Sequence, residues 1–453
     1  MLPTIRQTGF LYAGMGYTLV IDAAIALPAA GLAHLELADL PIIDAGFLVL
    51  SGNEWPLLEA VRGLETNLVR DLIGWRLDRA GAWGLKVVDP GGIESWKSGH
   101  AYPTELDDQV ARFGITPRQL LVPLARAIEE LRIPHPMHLH GLKLGLPGSA
   151  STTLEVLQAL DGHRLHLAHI QFHSYGSEGA GPGGFTSGVE QLAEYLNTHS
   201  SVTVDVGQVV FGPTLAMTAD SGVGQYLASL TSRPWVSHDV EFETGCGVLP
   251  VEYETRRFVH ALQWAIGLEW FLRMQDPWRI TLTTDHPNGG SFLAYPDLMA
   301  CLMNRDLRRE QLAQLPARAR EATTLGELDR EYTLNEIVTI TRAAPARILG
   351  LEDRGHLGPG AIADVAIHRP DTDRRRMFAR PRWVIKSGRV VIDDGHILDD
   401  RPGRTLSCLP GYDPSVERYV AKTAPATTVT SQWGSHPAQR AARPIDFRRC
   451  FDS

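Results

Sequence analysis

The chain has 453 residues, 44% hydrophobic and 21% charged, enough to bury one large core with a smaller appendage beside it. A net charge of -9 and a pI of about 6.0 give no general pull toward nucleic acid or an anionic membrane, since both select a basic face. Cys246, Cys301, Cys408 and Cys450 lack a CxxC or other ligand spacing, which points to neither a disulfide framework nor a thiolate metal site and fits a reducing, cytoplasmic setting.

Near the start, YTLVIDAAIALPAAGLAHLEL is strongly apolar, but Asp22 and Pro28 interrupt it and no basic stretch precedes it. It reads as barrel core rather than as a leader or a membrane span. From about residue 10 to residue 345, short apolar runs (KVVDPGG, HPMHLHG, LHLAHIQFH, VTVDVGQVV, ITLTTDHP) alternate with amphipathic stretches such as RQLLVPLARAIEELR. That alternation predicts an α/β fold, a parallel sheet with crossover helices, and most simply a (β/α)8 TIM-type barrel over residues 1–345; a doubly wound open sheet is the rival. Beyond RAAPARILGL, the pieces GHLGPGAIADVAIHRP and WVIKSGRVVIDDGHIL predict a small β-rich appendage over residues 346–410, and residues 411–453 read as an irregular tail. No repeat of fixed period is present.

In HPMHLHG, His138 and His140 alternate with Leu139, so on a strand both imidazoles face one way, as a metal pair would. An isolated HxH is as often a hydrogen-bonded core pair. A second run, HLAHIQFHSYG, places His166, His169 and His173 on what reads as the next strand, about 4.8 Å away, so the two sets can share an ion. Lys86 sits at the end of the strand-like WGLK, before the turn DPGG. It serves there either as an anchor for an anion or, once carbamylated by carbon dioxide, as a carboxylate able to bridge two metals. Asp285, beside His286 in LTTDHPNGG, ends a late strand; alone it would be a turn or helix cap, but following Lys86 and the histidines it becomes a metal ligand and a proton acceptor for an activated water.

The order lysine, histidine, histidine, aspartate along successive strands resembles the metal-dependent amidohydrolase superfamily, with Lys86, His140, His169 and Asp285 in the four places. A narrower set of blocks (GYTLVIDAA, KVVDPGG, MHLH, HIQFHSYG, VDVGQV, MTAD, VEFETGCG, QWAIGLEWFL, LTTDHPNGG and RAAPARILGLEDRGHLGPGAIADVAI) is similar to the A subunit of formylmethanofuran dehydrogenase and of the formyltransferase/hydrolase complex. That resemblance implies a dinuclear zinc site bridged by carboxylated Lys86, with Lys86, His140, His169 and Asp285 as metal ligands, His138 and His173 as alternatives, and Asp285 as the catalytic base. It implies interconversion of N-formylmethanofuran with formate and methanofuran in one-carbon metabolism. The implied partners are a formyltransferase, the other subunits of the complex and a methanofuran-type formyl carrier, for whose acidic side chain Arg256 and Arg257 are candidate contacts. Two other readings stand beside it: a scaffold within the same complex, and an amidohydrolase acting on other cyclic amides.

Two departures from the pattern bear on catalysis. The family carries a further HxH on barrel strand one, ahead of the GYT block, whereas here Met1 stands eight residues before Gly9 and the only early histidine, His34, is solitary. The expected barrel therefore lacks strand one and two of its ligands, leaving a seam between strands two and eight. After MHLH the family continues Cys-Asn-Asn-Leu-Gly, whereas this chain has Gly141, Leu142, Lys143, Leu144 and Gly145.

Overall fold

In the computed structural model, residues 3–97, 103–177, 184–218, 236–237, 247–423 and 445–449 are described. Cys246, Cys450 and all but the last residue of VEFETGCG lie outside them, as does the end of MTAD. The main sheet contains β1 (Leu19–Ile25), β2 (Asp44–Ser51), β3 (Gly84–Val88), β4 (Met137–His140), β5 (Leu165–Leu167), β6 (Val202–Asp205), β7 (Ile280–Thr281), β8 (Thr405–Leu409) and β9 (Ile445–Arg449). Strands β1 to β7 pair in chain order and all in parallel, the winding of a βα barrel that curls through seven strands without closing. This is the parallel βα winding expected from the sequence, with seven strands in the curl.

Strands β2 to β5 are buried along their whole length because helices cover their outer face and the barrel interior their inner one. The crossover helix Pro117–Glu130 starts at a capping box, Thr116 with Gln119, and presses Leu120, Leu121, Leu124 and Ile128 onto the sheet. The helix Thr66–Ala80 ends at Gly81 in the left-handed region, which turns the chain directly into β3. Strand β1 is only half-buried, so the apolar opening segment forms the margin of the barrel rather than its core; His34 behind it hydrogen-bonds the Ala80 carbonyl at 2.9 Å and has no part in the site.

Both margins of the curl are managed by side chains and loops. Beyond β7 the amide of Leu282 donates to the carbonyl of Ile340 at 3.1 Å, inside a π-helical turn at Thr339–Ala343. The turn takes a hydrogen bond that a strand would have taken. Tyr12, just ahead of β1, stacks on Phe292, just after β7, with centroids 3.9 Å apart, and Tyr17 meets Tyr295 edge-on at 5.7 Å. An aromatic cluster thus spans the gap.

The C-terminal antiparallel sheet comprises Val365–Ile367, Trp383–Lys386, Arg389–Asp393 and His396–Ile397. The remainder departs from expectation. Thr405–Leu409 leaves the appendage and joins the main sheet as β8, and the stretch read as an irregular tail carries a helix, Ser415–Thr423, and the strand β9 paired in parallel with β8. Thr405–Leu409 has Pro402-Gly403 and Pro410-Gly411 at its two ends, so a strand was legible there; that it joins the main sheet was not. Cys408, expected to be free, is disulfide-bonded. Among the described residues no helix is long and apolar enough to cross a membrane.

Candidate metal and catalytic centre

At the carboxyl ends of β4 and β5 the sequence delivers three imidazoles to one point. His140 is the last residue of β4. After β5 the chain turns at His169, whose φ of 35° is left-handed, and runs into a 3-10 turn, Ile170–His173. Of the three histidines expected on this strand only His166 lies on it; the turn carries the other two. The rings of His140, His169 and His173 have centroids 4.7 to 5.4 Å apart, and one donor atom from each lies within 4.8 Å of the others.

All three are buried, and burial holds His169 and His173 well below the ordinary imidazole value, with His140 and Lys86 adding to the effect. Those two rings are therefore neutral and carry lone pairs. Neither ring nitrogen of His173, nor Nδ1 of His169, has a hydrogen-bond partner. Buried polar atoms are normally satisfied, and converging bare imidazole nitrogens are what a zinc-class cation satisfies.

Lys86 lies mid-strand on β3, beside His138 of β4 in register, and is 4% exposed. Burial lowers its pKa, opposed in turn by Asp285, Asp205 and Asp22. A partly neutral buried amine is the form that reacts with carbon dioxide. Asp285 stands four residues past β7, in a loop, with a left-handed φ of 47° held by the surrounding turn. Asn288 Nδ2 donates to its Oδ2 at 2.8 Å. Burial pushes the Asp285 carboxyl up to about 7, against the pull of Lys86.

Over the mouth lies an antiparallel ribbon, Gly212–Thr218 with Gly247–Tyr253, docked on the Asp285 loop through the amide of Met217, which donates to Asn288 Oδ1 at 2.6 Å. Arg256 and Arg257 follow it and are exposed, Arg257 paired with Glu254 at 2.7 Å. Lys143, in the segment that departs from the family pattern, is held by Glu105.

Sequence reasoning missed Asp205. It ends β6 in VTVDVG, directs Oδ1 to the amide of His169 at 3.0 Å and to the hydroxyl of Thr283 at 2.6 Å, and faces His166 and His138 with Oδ2 at 3.3 and 3.9 Å. An aspartate closing a strand-like run was the available signal. His138, expected as an alternative to His140, belongs with His166 and Asp205 in a second cluster.

A family model for the amidohydrolases matches residues 3–392, and the chain belongs to that family. Within it, the chain is 41% identical over 416 residues to the A subunit of the Fhc formyltransferase/hydrolase complex of Methylorubrum extorquens, covering 90% of this chain and 75% of that one. It is 38% identical over 424 residues to protein FwdA of Methanocaldococcus jannaschii, covering 89% and 74%. A crystal structure of the M. extorquens FhcABCD complex with methylofuran superposes with a TM-score of 0.92 at 37% identity, covering 99% of this chain and 83% of its counterpart.

Proposed function

We propose that this chain is the A subunit of a formyltransferase/hydrolase complex and hydrolyses the formamide of a methanofuran-type carrier to formate and the free amine, in either direction. The observation that carries the reading is the convergence of the buried His140, His169 and His173 at the strand ends of an amidohydrolase barrel, with Asp285 packed on the same Gly207 as His169. Likeness to one chain of a complex crystallised with methylofuran supplies the substrate class and the partners.

His140 and His169, with His173 beside them, would hold zinc; Lys86, when carbamylated, would supply a carboxylate ligand and Asp285 a further oxygen. Zinc there supplies Lewis acidity for the formyl oxygen and acidifies a water. Asp285 accepts the proton as the water oxygen bonds to the formyl carbon, and returns it to the carrier nitrogen as the C–N bond breaks. The ribbon over the mouth limits water around the carboxyl and places Tyr253 beside it.

The test is formate release from the N-formyl carrier by the zinc-loaded chain assembled with its formyltransferase. Asp285→Asn should lower kcat by about 10²–10⁴-fold with KM little changed. Equal rates with Asp285→Asn would instead mean that this chain serves its partners as a scaffold.

A further inference from the structure

One residue layer beneath His140, three more side chains turn into the barrel interior. Lys86, His138, His166 and Thr203 are register partners across β3 to β6, so His138 and His166 share a level, and Asp205 reaches down to it from the end of β6. His138, His166 and Asp205 are 8%, 4% and 8% exposed.

Hydrogen bonding decides which nitrogen of each ring carries the proton. His135 Nδ1 lies 3.1 Å from the carbonyl oxygen of Ile348, which can only accept, so Nδ1 carries the proton. His135 Nε2 is therefore an acceptor, and at 3.0 Å it takes the proton of His138 Nδ1. His138 Nε2 is left as a bare lone pair. On His166, Nδ1 meets Thr203 Oγ1 at 2.8 Å, and that hydroxyl lies within donating reach of the Leu165 carbonyl at 3.4 Å. Asp205 Oδ2, at 3.3 Å from His166 Nε2, can only accept, so Nε2 carries the proton and Nδ1 accepts from the Thr203 hydroxyl.

The His138 Nε2 lone pair faces Asp205 Oδ2 at 3.9 Å and His166 Nε2 donates to it at 3.3 Å, while Oδ1 is committed to His169 and Thr283. Three ligand atoms within 4.8 Å of one another thus converge in a buried space, and a cation that displaces the one proton between them meets all three. Zinc bonds of about 2.0–2.2 Å in a tetrahedron put donor atoms about 3.4 Å apart, close to the spacing here. Two imidazoles and a single carboxylate select a zinc-class ion over magnesium or calcium.

We propose that His138 Nε2, His166 Nε2 and Asp205 Oδ2 form a second divalent-cation site, for zinc or a metal of its class, separate from the His140, His169 and His173 cluster above it. Asp205 couples the two levels, because the carboxylate that binds below also holds the backbone of His169 above. The proposal does not depend on the hydrolytic reading.

Zinc content decides it, read by mass spectrometry on the full chain stripped with chelator, reloaded with zinc and dialysed. The His140→Gln/His169→Gln double variant should keep one tightly held zinc per chain, and adding Asp205→Asn should remove it. The Asn oxygen still accepts from His169 and Thr283, and its amide donates to His166 Nε2 once that ring takes the other tautomer and donates from Nδ1 to Thr203, so metal-free Asp205→Asn should melt close to metal-free wild type. His138→Gln gives the same readout should Asp205→Asn fold poorly. No zinc in the double variant, or zinc undiminished by both lower substitutions, overturns the site; loss of zinc only from the upper variants overturns it while leaving the hydrolase reading intact.

Discussion

Gly207 and His169 are in contact so close that a Cβ on Gly207 would lie 2.5 Å from the Cβ of His169, and 3.4 Å from that of Asp285. The loop leaving β6 thus packs against two residues of the candidate site, and its φ of 66° favours glycine as well. Gly207→Ala should therefore destabilise the chain by about 1–3 kcal/mol through overpacking and backbone strain. Zinc affinity should fall at least tenfold, since a ligand displaced by a fraction of an ångström no longer meets its fellows. A urea melt with a chelator-competition titration measures both, and unaltered zinc affinity would mean that the loop yields without moving His169.

Metal loading offers a second prediction. If His140 and His169 hold an ion only in the folded chain, zinc at a hundred times its Kd should stabilise by about 2.7 kcal/mol, a gain that a chelator reverses. His169→Asn should abolish most of this gain while changing metal-free stability little, because Nδ1 of His169 has no hydrogen bond to lose. Thermal melts with and without zinc make the comparison. A gain that persists in His169→Asn would place the ion elsewhere.

The sequence revealed the fold through the alternation of apolar runs with amphipathic ones, and it singled out His140 and His169, which the structure brings together with His173 beyond the strand ends. What stayed hidden depends on register and on loops. His138 and His140 share a face, so alternation alone could not say that one serves the upper cluster and the other the lower. That division follows from His135, which reaches His138 from the strand's approach and fixes its proton, a contact with no periodicity. Asp205 reads locally as the polar end of an apolar strand, and its importance appears only when β5 and β6 pair. The pairing of β8 and β9 was illegible for a related reason: they add to the sheet from the far end of the chain, where local pattern says nothing of pairing.

Across the seam, Tyr12 and Phe292 replace strand pairing with stacking. Tyr12→Ala should cost about 3 kcal/mol, in the range of large-to-small aromatic truncations, and should loosen both margins together. Hydrogen exchange should then rise at the amides of β1 and of Leu282 alike. Faster exchange at β1 alone would mean that the π-helical turn secures its side without the aromatic cluster.

Asp44 joins the barrel to the C-terminal sheet. It is buried at the start of β2, its Oδ2 bound by Arg354 and by Lys386 at 2.8 Å, its Oδ1 accepting from the amide of Arg404 at 2.6 Å. Burial pushes its carboxyl up, but Lys386 and Arg354 outweigh that and hold it below the ordinary aspartate value. A carboxyl with a lower pKa folded than unfolded contributes in full above its unfolded pKa, and the contribution drains away as pH falls through the folded one. The wild type should thus lose stability progressively below about pH 4. Asp44→Asn, which takes one carboxylate from two buried cations that also pair with Asp364, should cost about 1.5–3 kcal/mol at pH 7 and show a flatter curve in that acid range. Urea melts of both proteins between about pH 2 and 7 test it; parallel curves would mean that the acid sensitivity of the chain arises from carboxylates other than Asp44.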